Sequence, residues 1–177
     1  QSRSSAASDV YKRQDKVSTA IFLDKVNKEY YKQFSIIYKS RETSNISHAL
    51  ETILCKLKKY SFNNIFDIGA GEGFINKSLK KGAVEYKKFY NCDPYQRPLI
   101  KDAKSKHLKI NFEESIKFIT NQKGKNLITL CSTIHHMIDP YSELESILNS
   151  IKKKDLILIA HEPCLLYTSP SPRDKRQ

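Results

Sequence analysis

Three glycines and two carboxylates have the spacing in this sequence that points most directly to chemistry. Gly69, Gly71 and Gly73 follow an apolar run that ends on Asp67. Because glycine has no Cβ, its backbone N–H can approach a ligand closely over the start of the next helix. Asp93 ends the following apolar run, near the roughly 20-residue spacing of an acid that accepts from ribose hydroxyls. The pattern predicts a turn that binds a ribose-containing ligand.

The elements that must position these residues alternate between strand and helix from about residue 61 onward. The predicted strands are 64–68, 87–92, 108–112, 126–131 and 155–160, and the predicted helices between them are 73–81, 95–105, 114–121 and 141–152. Short apolar runs of this kind are typical of buried parallel strands. We therefore expect an α/β fold with a doubly wound, mostly parallel sheet, and with the ligand-facing loops along its carboxyl edge.

Residues 15–60 have a different periodicity, with apolar side chains at steps of three and four. This spacing predicts N-terminal helices, one of them over residues 48–57 with Ser47 as its N-cap. These helices would either pack on the sheet as plain amphipathic elements or cover a ligand directly.

The segments FDIGAGEGF and LITLCSTIHHMIDP, with Asp93 between them, resemble the class I S-adenosylmethionine-dependent methyltransferases over about residues 60–162. The match is strongest to members that act on small molecules. Phe74 stands where the GxGxxG motif of nicotinamide enzymes needs a small residue, which favours S-adenosylmethionine as the cofactor. The resemblance implies a Rossmann-like core of seven strands, of which five are present here.

The resemblance also implies roles for particular residues. Asp67 would place the amino group of the cofactor, Asp93 would accept from the ribose, and Glu113 would accept from the adenine amino group. The full predicted cofactor site is Asp67, Gly69, Ala70, Gly71, Gly73, Asp93, Pro94, Glu113, Cys131 and Ser132. Other interpretations stay open: a structural βα turn, a helix cap at Asp93, and acids at 113 and 114 that only stabilise a helix N-terminus through its dipole.

A general base near the transferred methyl group would come from the histidine pair after the fourth strand. His135 and His136 are the candidates, because histidine titrates in the useful range, and we favour His136. By the resemblance, these histidines often support the loop instead. Methyl transfer also proceeds by orientation alone if the acceptor is already nucleophilic. By the same resemblance, Tyr31, Tyr38 and Arg41 in the N-terminal helices would shape the acceptor pocket.

Two absent motifs narrow the reaction class. No [DNS]-P-P-[YF] segment follows the fourth strand, and no Pro-Cys pair lies there, so the sequence lacks the signatures of adenine or amide nitrogen methylation and of cytosine C5 methylation. A small-molecule methyl acceptor is therefore expected. The alternatives are an RNA or protein methyltransferase and a non-catalytic S-adenosylmethionine-binding protein. The cysteines show no metal-ligand spacing, and no metal site is predicted.

The two ends of the chain are expected to be translated sequencing adapters rather than natural protein. Residues 4–14 and 164–174 back-translate into strings that contain GATGTGTATAAGAGACA and its reverse complement. We therefore predict four segments: artefact at 1–14, a helical cap at 15–60, a truncated methyltransferase core at 61–163, and artefact at 164–177.

The net charge falls from +12 to +8 without these ends, because each carries three basic residues and one acid. The scattered lysines make nucleic acid an unlikely partner. No apolar run is long enough to span a membrane, and we expect a cytoplasmic setting.

Overall fold

One parallel sheet organises the part of the chain that the structure describes. The computed structural model describes residues 52–71, 73–95 and 103–162, together with Lys25. Its strands are β1 (Ser61–Ile68), β2 (Glu85–Cys92), β3 (Ser105–Leu108), β4 (Asn126–Cys131) and β5 (Leu156–Ala160). They lie in the order β3-β2-β1-β4-β5 and all pair in parallel. The order reverses at β1, so the loops after β1 and β4 flank the crevice where ligands bind in doubly wound sheets.

Helices cover both faces of this sheet. They are α1 (residues 52–57), α2 (Phe74–Lys81), α3 (Phe112–Thr120) and α4 (Pro140–Ser150), with a 3₁₀ turn at Ile134–His136 after β4. Local sequence explains two of the starts. The Asn111 side chain accepts from the Glu114 N–H while Glu114 accepts from the Asn111 N–H, which is a capping box. Asp139 caps α4 and Pro140 occupies its first turn.

The strands are apolar on both sides because each face has its own core. On one face Ile65, Phe89 and Leu127 pack with helical residues that include Leu54 and Leu79. On the other face Phe66, Tyr90 and Ile128 pack with Ile116 and Ile147. Such two-sided burial is what parallel sheets require.

The amino edge of the sheet is held by buried polar side chains whose hydrogen bonds are made. The Asn64 amide donates to Asn126 Oδ1 at 2.9 Å and to the Lys123 carbonyl at 3.0 Å. The backbone N–H of Asn126 donates to Asp155 Oδ1 at 2.9 Å. These bonds tie β1 and β4 to the turn that precedes β5, far from the loops at the carboxyl edge.

The structure confirms the predicted fold class and corrects several boundaries. The third strand is Ser105–Leu108 and not 108–112, because the capping box at Asn111 already begins a helix at Phe112. The helix predicted for 95–105 is wrong at its end, where residues 103–104 form a turn and Ser105 begins β3. Most of that helix, most of the cap at 15–60, and both ends at 1–14 and 164–177 lie outside the described residues. Within the described part, no helix is long and apolar enough to cross a membrane.

Candidate functional site

The glycine turn lies between the end of β1 and the start of α2, as predicted. Gly69, Gly71 and Gly73 all have positive φ, at 70°, 50° and 83°. This is the left-handed region, which glycine enters without the steric cost that a Cβ brings. The N–H groups of Gly69 and Ala70 donate to the Cys92 carbonyl at 2.9 and 3.3 Å, which fixes the turn against the end of β2. The predicted turn is thus present at the carboxyl edge.

The loop after β4 closes one side of the glycine turn. The Thr133 hydroxyl donates to the Ile68 carbonyl at 3.0 Å. A Cβ added at Gly69 would lie 2.7 Å from both Cγ2 and Oγ1 of Thr133, closer than such atoms approach in proteins. Gly69 is therefore required for two reasons, its backbone conformation and its contact with Thr133.

Asp93 joins the glycine turn to the loop after β2. Its Oδ2 accepts from the Gly71 N–H at 2.9 Å and its Oδ1 accepts from the Tyr95 N–H at 2.7 Å. The residue is only 2% exposed, Pro94 beside it is half-buried, and Tyr95 is exposed. Two of the residues predicted to hold a cofactor, Gly71 and Asp93, are therefore in direct contact.

Asp67 is the most perturbed carboxyl group of the site. Its Oδ1 accepts from the Thr129 hydroxyl at 2.8 Å, and its Oδ2 is buried with no hydrogen-bond partner among the described residues. The pKa of Asp67 is raised to about 7, mainly because the group is buried. The hydrogen bond from Thr129 lowers the pKa, and the charge of Asp93 raises it. The Asn91 amide, on the neighbouring β2 position, is also fully buried with both polar atoms unpartnered in the described part. Buried polar atoms are usually satisfied, so this cluster is a place where a polar ligand or water would bind.

Cys131 ends β4, and Ser132 follows it, at the same edge of the sheet as Asp67. Burial, followed by the charges of Asp67 and Glu162, raises the pKa of the Cys131 thiol to about 12, so it stays protonated and is a poor nucleophile. Ser132 has a positive φ of 55° and its N–H donates to the Ala160 carbonyl at 3.0 Å. This strained backbone conformation redirects the chain at the carboxyl edge. The predicted contact of Ser132 with the cofactor would lie at the same edge.

Glu162 is a residue of this edge that the sequence reasoning missed. Its Oε1 accepts from the N–H groups of Thr133 and Ile134 at 2.6 and 2.9 Å. Its Oε2 lies 3.2 Å from the His135 backbone N and 3.0 Å from His135 Nδ1. The position of Glu162 in the sequence is a signal that could have found it. Because β5 pairs with β4, an acid just after β5 lies near the loop that follows β4.

The two histidines occupy this loop but in different environments. Their rings are 4.0 Å apart between centroids. Burial lowers the pKa of His136, and the neighbouring His135 lowers it further, while Glu162 and Asp93 act in the opposite direction. His136, the favoured base, is thus the histidine whose charged form the protein disfavours.

Glu113 lies in the first turn of α3 on its exposed side. Its Oε1 accepts from Lys117 Nζ at 2.8 Å, and the two side chains are 77% and 72% exposed. The hydrogen bond and charge of Lys117 lower the pKa of Glu113. These contacts favour the interpretation of Glu113 as a helix-end acid, and its role towards adenine stays a prediction.

The remaining predicted residues cannot be placed. Tyr31, Tyr38 and Arg41 lie outside the described residues. Across residues 52–71, 73–95 and 103–162, no group of three or more His, Cys, Asp or Glu side chains could hold a metal ion.

Comparison with known proteins supports the fold at low sequence identity. No family model matches the chain, and no curated protein matches it either. A solved structure of the plantazolicin methyltransferase BpumL, in complex with a monoazolic desmethylPZN analogue and SAH (S-adenosylhomocysteine), is similar with a TM-score of 0.56 and 16% identity over 82% of this chain. A second BpumL structure, with a pentazolic analogue and SAH, gives a TM-score of 0.51 and 18% identity over 75% of this chain. The match spans 60% and 55% of those chains. This chain therefore has the Rossmann-like α/β fold of a methyltransferase whose solved structures contain S-adenosylhomocysteine.

Proposed function

We propose that the protein is an S-adenosylmethionine-dependent methyltransferase that transfers a methyl group to an O, N or C nucleophile of a small molecule. The observation that carries the proposal is the hydrogen bond between Asp93 and the Gly71 N–H at the carboxyl edge of a parallel sheet. It brings the predicted ribose acid against the turn predicted to bind the rest of the cofactor. The fold shared with the SAH-containing structures supports the same cofactor.

The residues present fit this cofactor. The three glycines hold the turn in its left-handed conformation, and they add no side-chain atoms of their own between the backbone and a ligand. Asp67 Oδ2, which has no hydrogen-bond partner within the described part of the chain, is an acceptor suited to an ammonium group, directly or through water. Asp93 would accept from the ribose hydroxyls in addition to its two backbone donors, since each carboxylate oxygen has two lone pairs. Backbone at Cys131 and Ser132 would complete the side next to β4.

The cofactor supplies an electrophilic methyl group, so the protein has mainly to orient the two reactants and exclude water. Thr133 and Glu162 hold the loop after β4 against the glycine turn, which fixes one wall of the site. A small-molecule acceptor and a cytoplasmic setting remain part of the proposal.

Calorimetric titration with S-adenosylhomocysteine tests the proposal. We expect saturable binding, no binding of NADH in a parallel titration, and an affinity at least tenfold lower for Asp93→Asn. The asparagine amide has one acceptor oxygen fewer than the carboxylate and places its NH₂ group against a backbone donor. A tenfold loss of affinity corresponds to about 1.4 kcal/mol of binding free energy.

Glu113→Gln is the matched control, because it makes the same carboxyl-to-amide change at an exposed side chain. It also tests the contact with adenine that was predicted for Glu113. A folded protein that binds no S-adenosylhomocysteine would refute the proposed function. Binding without any turnover of a labelled methyl donor over a broad panel of acceptors would favour the non-catalytic alternative.

A further inference from the structure

Lysine side chains gather at the amino edge of the sheet, on the side opposite the glycine turn. Because all five strands are parallel, the loops that lead into them meet at this edge. In the sequence these lysines are spread from residue 58 to residue 154, and only the strand order brings them together. The lysines that precede β1, β4 and β5 are Lys58, Lys59, Lys123, Lys125, Lys153 and Lys154. This set is called the lysine edge below.

Hydrogen bonds and ring contacts hold the first two loops of the lysine edge beside each other. The Asn64 side chain in β1 donates to the Lys123 carbonyl at 3.0 Å. The Nζ atoms of Lys59 and Lys125 lie 5.2 and 3.9 Å from the centroid of the same ring, that of Tyr60. Ammonium groups from two different loops therefore share one aromatic ring through cation–π contacts.

The loop before β5 extends the lysine edge beyond β4. Leu127 in β4 pairs with Leu156 in β5, and paired strands lie about 4.8 Å apart. Lys153 and Lys154 come just before β5, and both side chains are exposed. The lysine edge is therefore a row of positive charges that crosses the starts of three neighbouring strands.

The described acids at the amino edge do not neutralise this row. Asp155 is 8% exposed, and its carboxylate accepts from the backbone N–H groups of Asn126 and Lys152 at 2.9 and 3.1 Å. Glu85 begins β2, which lies beyond β1. Within the part of the chain that the structure describes, no ion pair involves any of the six lysines. Their charges therefore face solvent or a partner.

The two edges of the sheet carry opposite charge. Several described acids lie at the carboxyl edge, namely Asp67, Asp93, Glu113, Glu114 and Glu162. β1 has eight residues, so at about 3.3 Å per residue roughly 25 Å separate the two edges. This separation exceeds the Debye length of about 8 Å at physiological salt. An anion at the amino edge therefore interacts with the lysines and is screened from the acids.

The residue types of the lysine edge indicate which kind of anion it suits. Lysine is a point charge with three donors, so it contacts phosphate groups without reading base edges. The described loops 58–60, 121–125 and 151–155 expose no large apolar side chain, whereas a surface that inserts into a bilayer presents such side chains. A row of lysines matches a linear chain of phosphates, as in nucleic acid.

We propose that the lysine edge is a docking surface for the sugar–phosphate backbone of nucleic acid, bound through charge and without sequence preference. Docking on these side chains needs no opening between the loops. The inference does not rest on the proposed methyl transfer, because the surface lies roughly 25 Å from the glycine turn. Nucleic acid held there is a docking partner, and the atoms in contact with the lysines lie far from the cofactor site.

Fluorescence anisotropy of a labelled oligouridine, measured over a series of KCl concentrations, tests the proposal. The variant combines Lys58→Gln, Lys123→Gln and Lys154→Gln, which removes one exposed charge from each loop and leaves Lys125 on the Tyr60 ring. Its affinity should fall by roughly tenfold or more at physiological salt. The slope of log K against log salt should become shallower by about 2, because each single-strand phosphate contact contributes about 0.7.

The matched control combines Lys106→Gln, Lys109→Gln and Lys117→Gln, three exposed lysines in β3, just after it and on α3. It changes the net charge by the same amount away from the amino edge, and it should keep the wild-type slope to within about 0.5. The basic residues at the two chain ends are identical in both variants, so their contribution cancels. Equal losses in the two triple variants, or no binding by the wild type, would overturn the proposal.

Two further measurements separate this inference from its alternatives. Wild-type protein cross-linked by ultraviolet light to 4-thiouridine-labelled RNA should carry its cross-links in residues 58–60, 121–125 and 151–155, and cross-links confined to the carboxyl edge would contradict the docking surface. This mapping needs no variant. Sedimentation with phosphatidylserine-containing vesicles should give no binding, and binding to vesicles but not to oligouridine would replace the proposal with a membrane surface.

The proposed function is tested separately by S-adenosylhomocysteine. The lysine-edge variant should bind it as the wild type does, and Asp93→Asn should bind oligouridine as the wild type does. Lysine-dependent oligouridine binding by a protein that ignores S-adenosylhomocysteine would refute only the proposed function. The reverse result would refute only the docking surface.

Discussion

Asp67 and Asp93 lie at the same edge of the sheet and are both 2% exposed. They differ in the hydrogen bonds that their carboxyl groups receive. Asp93 accepts from the N–H groups of Gly71 and Tyr95, which are fixed backbone dipoles. Asp67 accepts from one hydroxyl, that of Thr129, and its second oxygen has no partner among the described residues. Burial and few hydrogen bonds therefore set the protonation state of Asp67, and a substitution that keeps its shape can test this.

Asp67→Asn is expected to change the pH dependence of stability. The pKa of Asp67 is raised from 3.8 to about 7 in the folded state, so the folded protein binds the proton more tightly than the unfolded chain. Stability from this group is fully present below about pH 4, falls as pH rises, and is lost above about pH 7. Asparagine has no such loss and can still accept from Thr129.

Urea unfolding of both proteins at pH 5 and pH 8 measures the effect. Relative to wild type, the variant should gain about 2 to 3 kcal/mol in unfolding free energy between these two pH values. If the unfolding free energies of the two proteins differ by the same amount at both pH values, folding does not raise the pKa of Asp67.

At the scale of elements, the glycine turn and the loop after β4 form one packed unit. Thr133 fills the space in which a side chain at residue 69 would lie, and its hydroxyl binds the Ile68 carbonyl. The conformation of one loop therefore depends on the other. Such dependence is measured by a double-mutant cycle.

Gly69→Ala is expected to destabilise the protein by about 2 kcal/mol or more, through its positive φ and its clash with Thr133. In a Thr133→Ala background the clash with Oγ1 and Cγ2 disappears while the φ strain remains. The cost of Gly69→Ala should then fall by about 1 kcal/mol. Denaturant unfolding of the wild type, both single variants and the double variant checks this. Strictly additive costs would mean that the two loops do not touch as described.

At the scale of the whole molecule, the two edges of the sheet have different tasks. At the amino edge, Asn64, Asn126 and Asp155 satisfy one another and make no opening for a ligand. At the carboxyl edge, buried polar atoms of Asp67 and Asn91 lack partners in the described part. Stability and binding should therefore be separable by position.

Asn126→Ala is expected to cost about 2 to 4 kcal/mol in unfolding free energy, because it removes the buried side-chain amide that accepts from Asn64 and donates to Asp155. The affinity of the folded variant for S-adenosylhomocysteine should stay within about twofold of wild type. Asp93→Asn should lose at least tenfold in affinity for S-adenosylhomocysteine, in addition to the stability that it loses by placing an NH₂ group against a backbone donor. Parallel calorimetry and urea unfolding of the two variants compare them, and an equal loss of affinity in both would contradict the division.

The parts of the fold that could be predicted are those encoded locally. The apolar runs and the glycine turn each carry their own signal, and they are confirmed. The third strand was misplaced because Lys109 to Asn111 look extended in sequence, whereas the reciprocal Asn111–Glu114 cap commits the chain to a helix.

The glycine turn of the site was predicted because its residues form one continuous motif. Glu162 was missed because its partners lie 27 to 29 residues earlier in the chain and meet it only through the pairing of β4 with β5. The choice of His136 as the base stays a prediction. The burial of His136 and the contact between His135 and Glu162 depend on the fold and are not visible in a run of two identical residues.

The Glu162 contact also has a consequence for the order in which the molecule matures during synthesis. The ribosome releases His135 before Glu162, which follows 27 residues later. Until β5 has emerged and docked on β4, the N–H groups of Thr133, Ile134 and His135 have no carboxylate to bind. A nascent chain can thus assemble most of its sheet while its histidine loop is still unformed.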